Sequence, residues 1–143
     1  MSFEEKVVPL EGITILDMSA VLSGPASTML LADQGARVIK VESPEGDITR
    51  KMGVRKGSLS TAFININRGK QSLSIDLKTL EGRQIIEGLV ENSDVFVQNF
   101  RPGVIERLGL DEKSIRKLNH QVVYVSISGF GNTGPLVNSR VYD

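Results

Sequence analysis

No cysteine occurs among the 143 residues, and histidine occurs once, at His120. Without a thiol there is neither a disulfide framework nor a Cys-based zinc site, and one imidazole cannot build a histidine cluster, so no metal is expected. Neither sign of charge is in excess, with 17 Lys and Arg against 17 Asp and Glu. A chain with no global field has no default attraction to nucleic acid or to an anionic membrane. No apolar run approaches the roughly 20 residues of a membrane helix. The amino terminus mixes acidic and apolar side chains where a secretory leader would be basic and then apolar. A soluble cytoplasmic protein is the expectation. The dinucleotide fingerprint G-x-G-x-x-G is missing, as is the Gly-Lys-Ser/Thr of a phosphate loop, which argues against an ordinary NAD site or a P-loop. No internal repeat or low-complexity tract is visible, and the length suits one domain with its own core.

What is present is organised around residues 13–42. Ile13-Thr14-Ile15-Leu16 and Val38-Ile39-Lys40-Val41 are short, β-branched apolar runs of the length of buried parallel strands. Between them Ser23-Gly24-Pro25 offers a capping hydroxyl, a permissive glycine and a proline at a first helical position, and Gly35 stands where a left-handed cap would end the helix. The stretch predicts a βαβ unit. Its strand-to-helix turn, residues 19–25, would aim unpaired N–H groups at whatever lies beyond the strand, which suits a phosphate or a carboxylate. The same residues also suit an ordinary helix start.

The rhythm continues downstream. Residues 43–57 are polar, glycine-containing and partly basic, and predict a surface loop. Phe63-Ile64-Asn65-Ile66-Asn67 alternates and predicts a strand, Arg68-Gly69-Lys70 a basic turn, and residues 72–77 another strand. Thr79 is placed to cap a helix running to about Glu91, with Leu80, Ile85, Ile86, Leu89 and Val90 as its apolar stripe. Residues 94–100 predict a strand, Arg101-Pro102-Gly103 a turn, and residues 104–108 a short helix. Asp111 begins a further helix, and residues 122–127 form the last strand. A glycine-dense loop at 129–135 follows, and the pattern then stops without a cap, as in a truncated chain. Strands alternating with helices predict an α/β fold, an open, mostly parallel, Rossmann-like sheet with helices on both faces and ligands at the carboxyl ends of its strands.

Cations recur after the strands, at Arg68, Lys70, Lys78, Arg101 and Arg107. Arg holds phosphate as a planar fork and Lys as a point charge, so a mixed set suits a ligand with several phosphates, although each alone also reads as a solvated surface charge. No general acid or base declares itself. Asp17, Asp47, Asp76 and Asp143 lie near strand ends or loops, and Asp47 reads best as a turn residue.

These strings resemble the amino-terminal portion of the family III CoA-transferases, the superfamily that includes formyl-CoA and carnitine CoA-transferases and α-methylacyl-CoA racemase. The resemblance runs through Pro9-Leu10-Glu11-Gly12-Ile13, Leu16-Asp17, Ser23-Gly24-Pro25 and residues 32–42. It continues in Gly46-Asp47-Ile48-Thr49-Arg50, Asn67-Arg68-Gly69-Lys70, Asp76-Leu77-Lys78, Asn99-Phe100-Arg101-Pro102-Gly103, Glu106-Arg107-Leu108-Gly109, residues 128–135 and Tyr142-Asp143.

The resemblance implies a coenzyme A site lined by Leu22, Ser23, Ile75, Asp76, Leu77, Lys78, Asn99, Phe100, Arg101, Arg107, Arg140, Tyr142 and Asp143, with Lys78, Arg101 and Arg107 as the phosphate or ribose contacts. It also implies a mechanism. An aspartate carboxylate attacks an acyl-CoA thioester, a mixed anhydride and free CoA form, and CoA passes to a small carboxylic acid. That aspartate belongs to a Gly-Asp motif downstream of residue 143, so no catalytic residue is expected here, and residues 1–143 would be an inactive part of the large CoA-binding domain of an interlaced homodimer. The sequence departs from its relatives at several positions. Gln71 and Ser43 stand where relatives often carry arginine. Tyr142 replaces the histidine of the racemase branch, which favours transfer over racemisation, and Leu22 replaces the glutamine of the formyl-CoA:oxalate branch. A non-catalytic CoA- or nucleotide-binding domain and a dinucleotide-dependent oxidoreductase domain are the alternatives.

Overall fold

The computed structural model describes residues 8–57, 59–139 and 141, with Leu59 by its backbone alone. Five strands, β1 (Thr14–Asp17), β2 (Arg37–Glu42), β5 (Gln71–Ser74), β6 (Val95–Gln98) and β7 (Val123–Ser126), form one sheet in the order β5-β2-β1-β6-β7. Every pairing in it is parallel. A two-stranded antiparallel hairpin, β3 (Arg55–Lys56) with β4 (Leu59–Ser60), stands apart. The fold is therefore the predicted open α/β sheet.

Two cores, one on each side of the sheet, explain why these strands read as near-continuous apolar runs. On one side Leu16, Ile39 and Phe96 sit side by side in register and pack under Ile86 and Val90 of α3 (Leu80–Glu91), Ile105 of α4 (Val104–Arg107) and Ile115 of α5 (Glu112–Leu118). Phe96 also stacks on its register partner Tyr124, ring centroids 5.3 Å apart. On the other side Ile15, Val38 and Val97 pack with Leu31 and Ala32 of α1 (Ser23–Asp33), against which α2 (Thr61–Asn67) lies. Parallel strands sandwiched in this way bury both faces.

Local chemistry sets most helix ends. Thr79 Oγ1 accepts the Gly82 N–H at 3.0 Å to start α3, and Asp111 accepts the Ser114 N–H at 3.2 Å to start α5. Gly35, at φ +100°, turns the chain out of α1 as predicted.

Four expectations change. Residues 63–67 are helical, not extended. Ser60 Oγ accepts the Phe63 N–H, and Ala62, Phe63, Ile66 and Asn67 turn inward at helical spacing, a pattern that five alternating residues cannot distinguish from a strand. Ser23 does not cap α1. The cap position is Leu22, no side chain serves it, and Pro25 falls two residues after the first helical position. On α3 only Ile86 and Val90 are buried from the predicted stripe, whereas Leu80 and Ile85 are exposed. The 43–57 loop holds a 3-10 turn (Ile48–Lys51), and its Asp47 and Thr49 are buried.

Candidate functional site

The strand order places a reversal between β1 and β6. From β1 the chain moves outward through β2 to β5, then crosses back to β6 on the other side of β1 and on to β7. Backbone leaving neighbouring strands in opposite directions at their carboxyl ends opens a crevice there, the usual ligand position of a doubly wound sheet. A cavity of about 240 Å³ lies at these ends. Its walls come from the turn after β1 (Ser19, Ala20), from the end of β2 (Lys40) and the following loop (Asp47), and from the segment after β5. Asp76 and Lys78 are exposed at this place, Leu77 is half-buried and Ile75 is buried.

Three ion pairs support the crevice. Asp17, fully buried, accepts Lys70 Nζ at 2.9 Å, Thr28 Oγ1 at 2.6 Å and the Ser19 N–H at 3.0 Å, as well as the Ser19 hydroxyl. Burial pushes the Asp17 carboxyl up, but the Lys70 charge and these hydrogen bonds outweigh it and hold it below its ordinary value. Lys40 and Asp47 lie 3.1 Å apart with their side chains 1% exposed, and Lys40 also donates to the Ser19 carbonyl at 2.8 Å. Glu42 takes a fork from Arg50, at 2.6 and 2.7 Å, and accepts the Asp47 N–H and the Ser72 hydroxyl. Burial works against the Glu42 carboxylate, yet the Arg50 fork and the other donors hold its pKa at about 2. Every buried side-chain polar atom among the described residues has a partner. The carboxylates of Asp17, Glu42 and Asp47 are thus committed to internal donors, and a buried, paired carboxylate is a poor nucleophile.

Of the thirteen residues expected at the site, Ile75, Asp76, Leu77, Lys78 and Phe100 come together on this cavity. Asn99 lies beside it, its side-chain amide bonded to Ala20. Arg101 lines a second, wider cavity of about 750 Å³ between the ends of β6 and β7 and the α4–α5 side, and Phe100 borders both. Arg107 is exposed on α4 and lines neither, although its neighbour Leu108 lines the first. Leu22 is exposed at the end of the turn after β1 and Ser23 at the first position of α1, both outside the two linings. The expectations for Arg140, Tyr142 and Asp143 lie outside the described residues. Of the two departures from arginine, Ser43 lines the first cavity, and Gln71 is exposed on β5, where its side chain accepts from Arg37 at 3.0 Å.

Residue patterns missed Lys40, named Ser19 and Ala20 only as part of the 19–25 turn, and read Asp47 only as a turn residue. Lys40 stands inside an apolar run, where a cation in a strand that is otherwise buried is the one available signal that a buried partner exists.

The fold and crevice define a doubly wound α/β domain with a ligand cleft at its switch point. The sequence model described as CoA-transferase family III matches residues 10–143, and the chain belongs to that family. It is 44% identical over 136 residues to an acetyl-CoA:oxalate CoA-transferase of Acetobacter aceti, covering 94% of this chain and 35% of that protein. It is 43% identical over 139 residues to the human succinyl-CoA:glutarate CoA-transferase, covering 96% of this chain and 32% of that one. Among solved structures, a CAIB/BAIF family protein from Brucella suis superimposes with a TM-score of 0.91 at 40% identity, over 96% of this chain and 38% of that one. The chain therefore spans about a third of the length of these relatives. No described helix is long and apolar enough to cross a membrane.

Proposed function

We propose that residues 1–143 form the CoA-facing part of a large domain, in a protein that transfers CoA between an acyl-CoA thioester and a small carboxylic acid. The observation that carries this reading is the 240 Å³ cavity at the switch point, which gathers the segment from Ile75 to Lys78 and Phe100 beside the turn after β1. Its lining mixes apolar wall (Ile75, Leu77, Phe100, Leu108) with an exposed cation, Lys78. That combination suits a ligand with an apolar arm and phosphates. Arg101 and Arg107, exposed nearby on the β6–α4 side, would meet the outlying phosphate or ribose.

The reaction needs a nucleophilic carboxylate able to leave its hydrogen bonds. Asp17 and Asp47 are held by lysines and by three or more further contacts, and neither fits. The resemblance to family III CoA-transferases implies that an aspartate outside residues 1–143 would attack the thioester carbonyl carbon. The C–S bond breaks, CoA leaves as the thiolate, and a mixed anhydride remains. The thiolate attacks the aspartyl carbonyl, releasing the donor acid as a carboxylate and leaving an aspartyl-CoA thioester. The acceptor carboxylate displaces the thiolate to form a second mixed anhydride. The thiolate then attacks the acceptor's acyl carbon, giving the new thioester and the free aspartate with no redox partner consumed. The whole protein would act as a homodimer in the cytoplasm. Transfer is favoured over racemisation by Tyr142, which replaces the histidine of the racemase branch.

Titration of the chain with CoA in a calorimeter tests the reading. Binding is expected, and Lys78→Ala should weaken it about fivefold to tenfold, with the loss shrinking as salt rises. Absence of heat for the unmodified chain, or equal affinity after Lys78→Ala, removes the cavity as the CoA site. A transfer assay on residues 1–143 should read no exchange above buffer.

A further inference from the structure

Residues 19–22, between β1 and α1, contain Val21 at φ 69°, the one non-glycine residue with a left-handed backbone among the described residues. That region crowds a Cβ against the following carbonyl, and a β-branched side chain suits it worst. Val21 is 47% exposed, so core packing does not force it there. Polar groups grip the turn instead. Asn99, just after β6, accepts the Ala20 N–H at 2.8 Å and donates to the Ala20 carbonyl at 2.7 Å. The Asp47 carboxylate accepts the Val21 N–H at 3.2 Å. Lys40 donates to the Ser19 carbonyl at 2.8 Å and pairs with Asp47. Three separate segments thus converge on the backbone of three consecutive residues, Ser19 to Val21, and Ser19, Ala20, Lys40 and Asp47 are themselves cavity wall.

We propose that Asn99 and the Lys40–Asp47 pair are positioning residues for the ligand. They hold residues 19–22 in a backbone conformation that the turn's own sequence disfavours, and so keep this wall of the cavity formed before CoA arrives. The proposal rests on the CoA reading above. It gives Asn99 a task other than touching CoA, because its amide already serves both backbone groups of Ala20.

The test compares CoA titration calorimetry and thermal melting for the 143-residue chain, Asn99→Ala, Val21→Gly and the double variant. Glycine adopts φ 69° without steric cost and needs no grip. Val21→Gly should raise the melting temperature. Asn99→Ala should weaken CoA binding about tenfold, as when the competent turn is populated about a tenth of the time, with unchanged stoichiometry. Adding Val21→Gly should restore most of that affinity. If Asn99 contacted CoA directly, the glycine would not rescue it. If Asn99 merely supported the fold, stoichiometry would drop and the affinity of the remaining molecules would not. Either result overturns the proposal, as does equal affinity of Asn99→Ala and the parent. An unmodified chain that binds no CoA overturns the CoA reading and this proposal together. Should Asn99→Ala not fold, Asn99→Asp is judged by the same rescue, since it keeps the acceptor for the Ala20 N–H and loses the donor to its carbonyl.

Discussion

Glu42 shows how the site's charges enter stability. Its carboxyl is held at about 2 against an ordinary 4.5, by the Arg50 fork and two other contacts, the Asp47 N–H and the Ser72 hydroxyl. A carboxyl depressed in the folded state stabilises it fully above the ordinary pKa, and that contribution is lost as protons are forced on below it. Stability measured by urea unfolding should therefore fall as pH drops from 4.5 toward 2. Arg50→Met should lower stability at neutral pH and flatten this slope, and identical slopes in parent and variant would remove Arg50 as its source. Arg50 also covers the Phe63 ring at 3.7 Å, so part of its neutral-pH contribution is packing. At this scale the sequence was informative about residue type and silent about partners. Asp47 reads as a turn residue and does cap the 3-10 turn by accepting the Thr49 N–H at 2.9 Å. Its second task, neutralising Lys40, links residues 7 positions apart that no local pattern joins.

Among the elements, α3 carries the clearest local signals, and two substitutions probe its start. Thr79→Ala removes the hydroxyl that accepts the Gly82 N–H and should cost about 1 kcal/mol. Gly82→Ala should cost more, about 1–3 kcal/mol, because a Cβ there would meet the Asp76 carbonyl oxygen at 2.1 Å, a backbone atom that cannot swing aside. The same clash would push the Asp76–Lys78 segment off the cavity, so CoA affinity should fall with stability in Gly82→Ala and stay near the parent's in Thr79→Ala. Equal affinities in the two variants would show that the α3 start does not set this wall. The close approach at Gly82 could not be read locally, and the helical state of residues 61–67 had only one short local signal. The former depends on how α3 meets the strand-end loop, and the latter on Ser60 reaching the Phe63 N–H, where the short alternation fits both periods.

For the whole molecule, a ligand that binds only the folded state raises the melting temperature by mass action, with about 2.7 kcal/mol of stabilisation at a hundredfold excess over its dissociation constant. CoA should therefore shift the melt in a concentration-dependent way, and a melt unmoved by CoA would contradict the site. Apart from α2, read as a strand, and the β3–β4 hairpin, not read at all, the strand and helix order, the parallel α/β class and the family strings were legible in the chain, because they depend on short-range periodicity, capping chemistry and motif order. Which residues meet was not. The reversal between β1 and β6 brings Ala20 to Asn99, 79 positions away, and the outward run from β1 through β2 to β5 folds Lys70 onto Asp17, 53 away. It also divides the predicted cations, with Lys78 on one cavity and Arg101 on the other. Sequence alone determined most of the elements and the family they belong to, since both follow from local side-chain chemistry and motif order. Only the packed sheet decided the crevice, its buried ion pairs and the grip on Val21, since those contacts exist once distant strand ends are brought side by side.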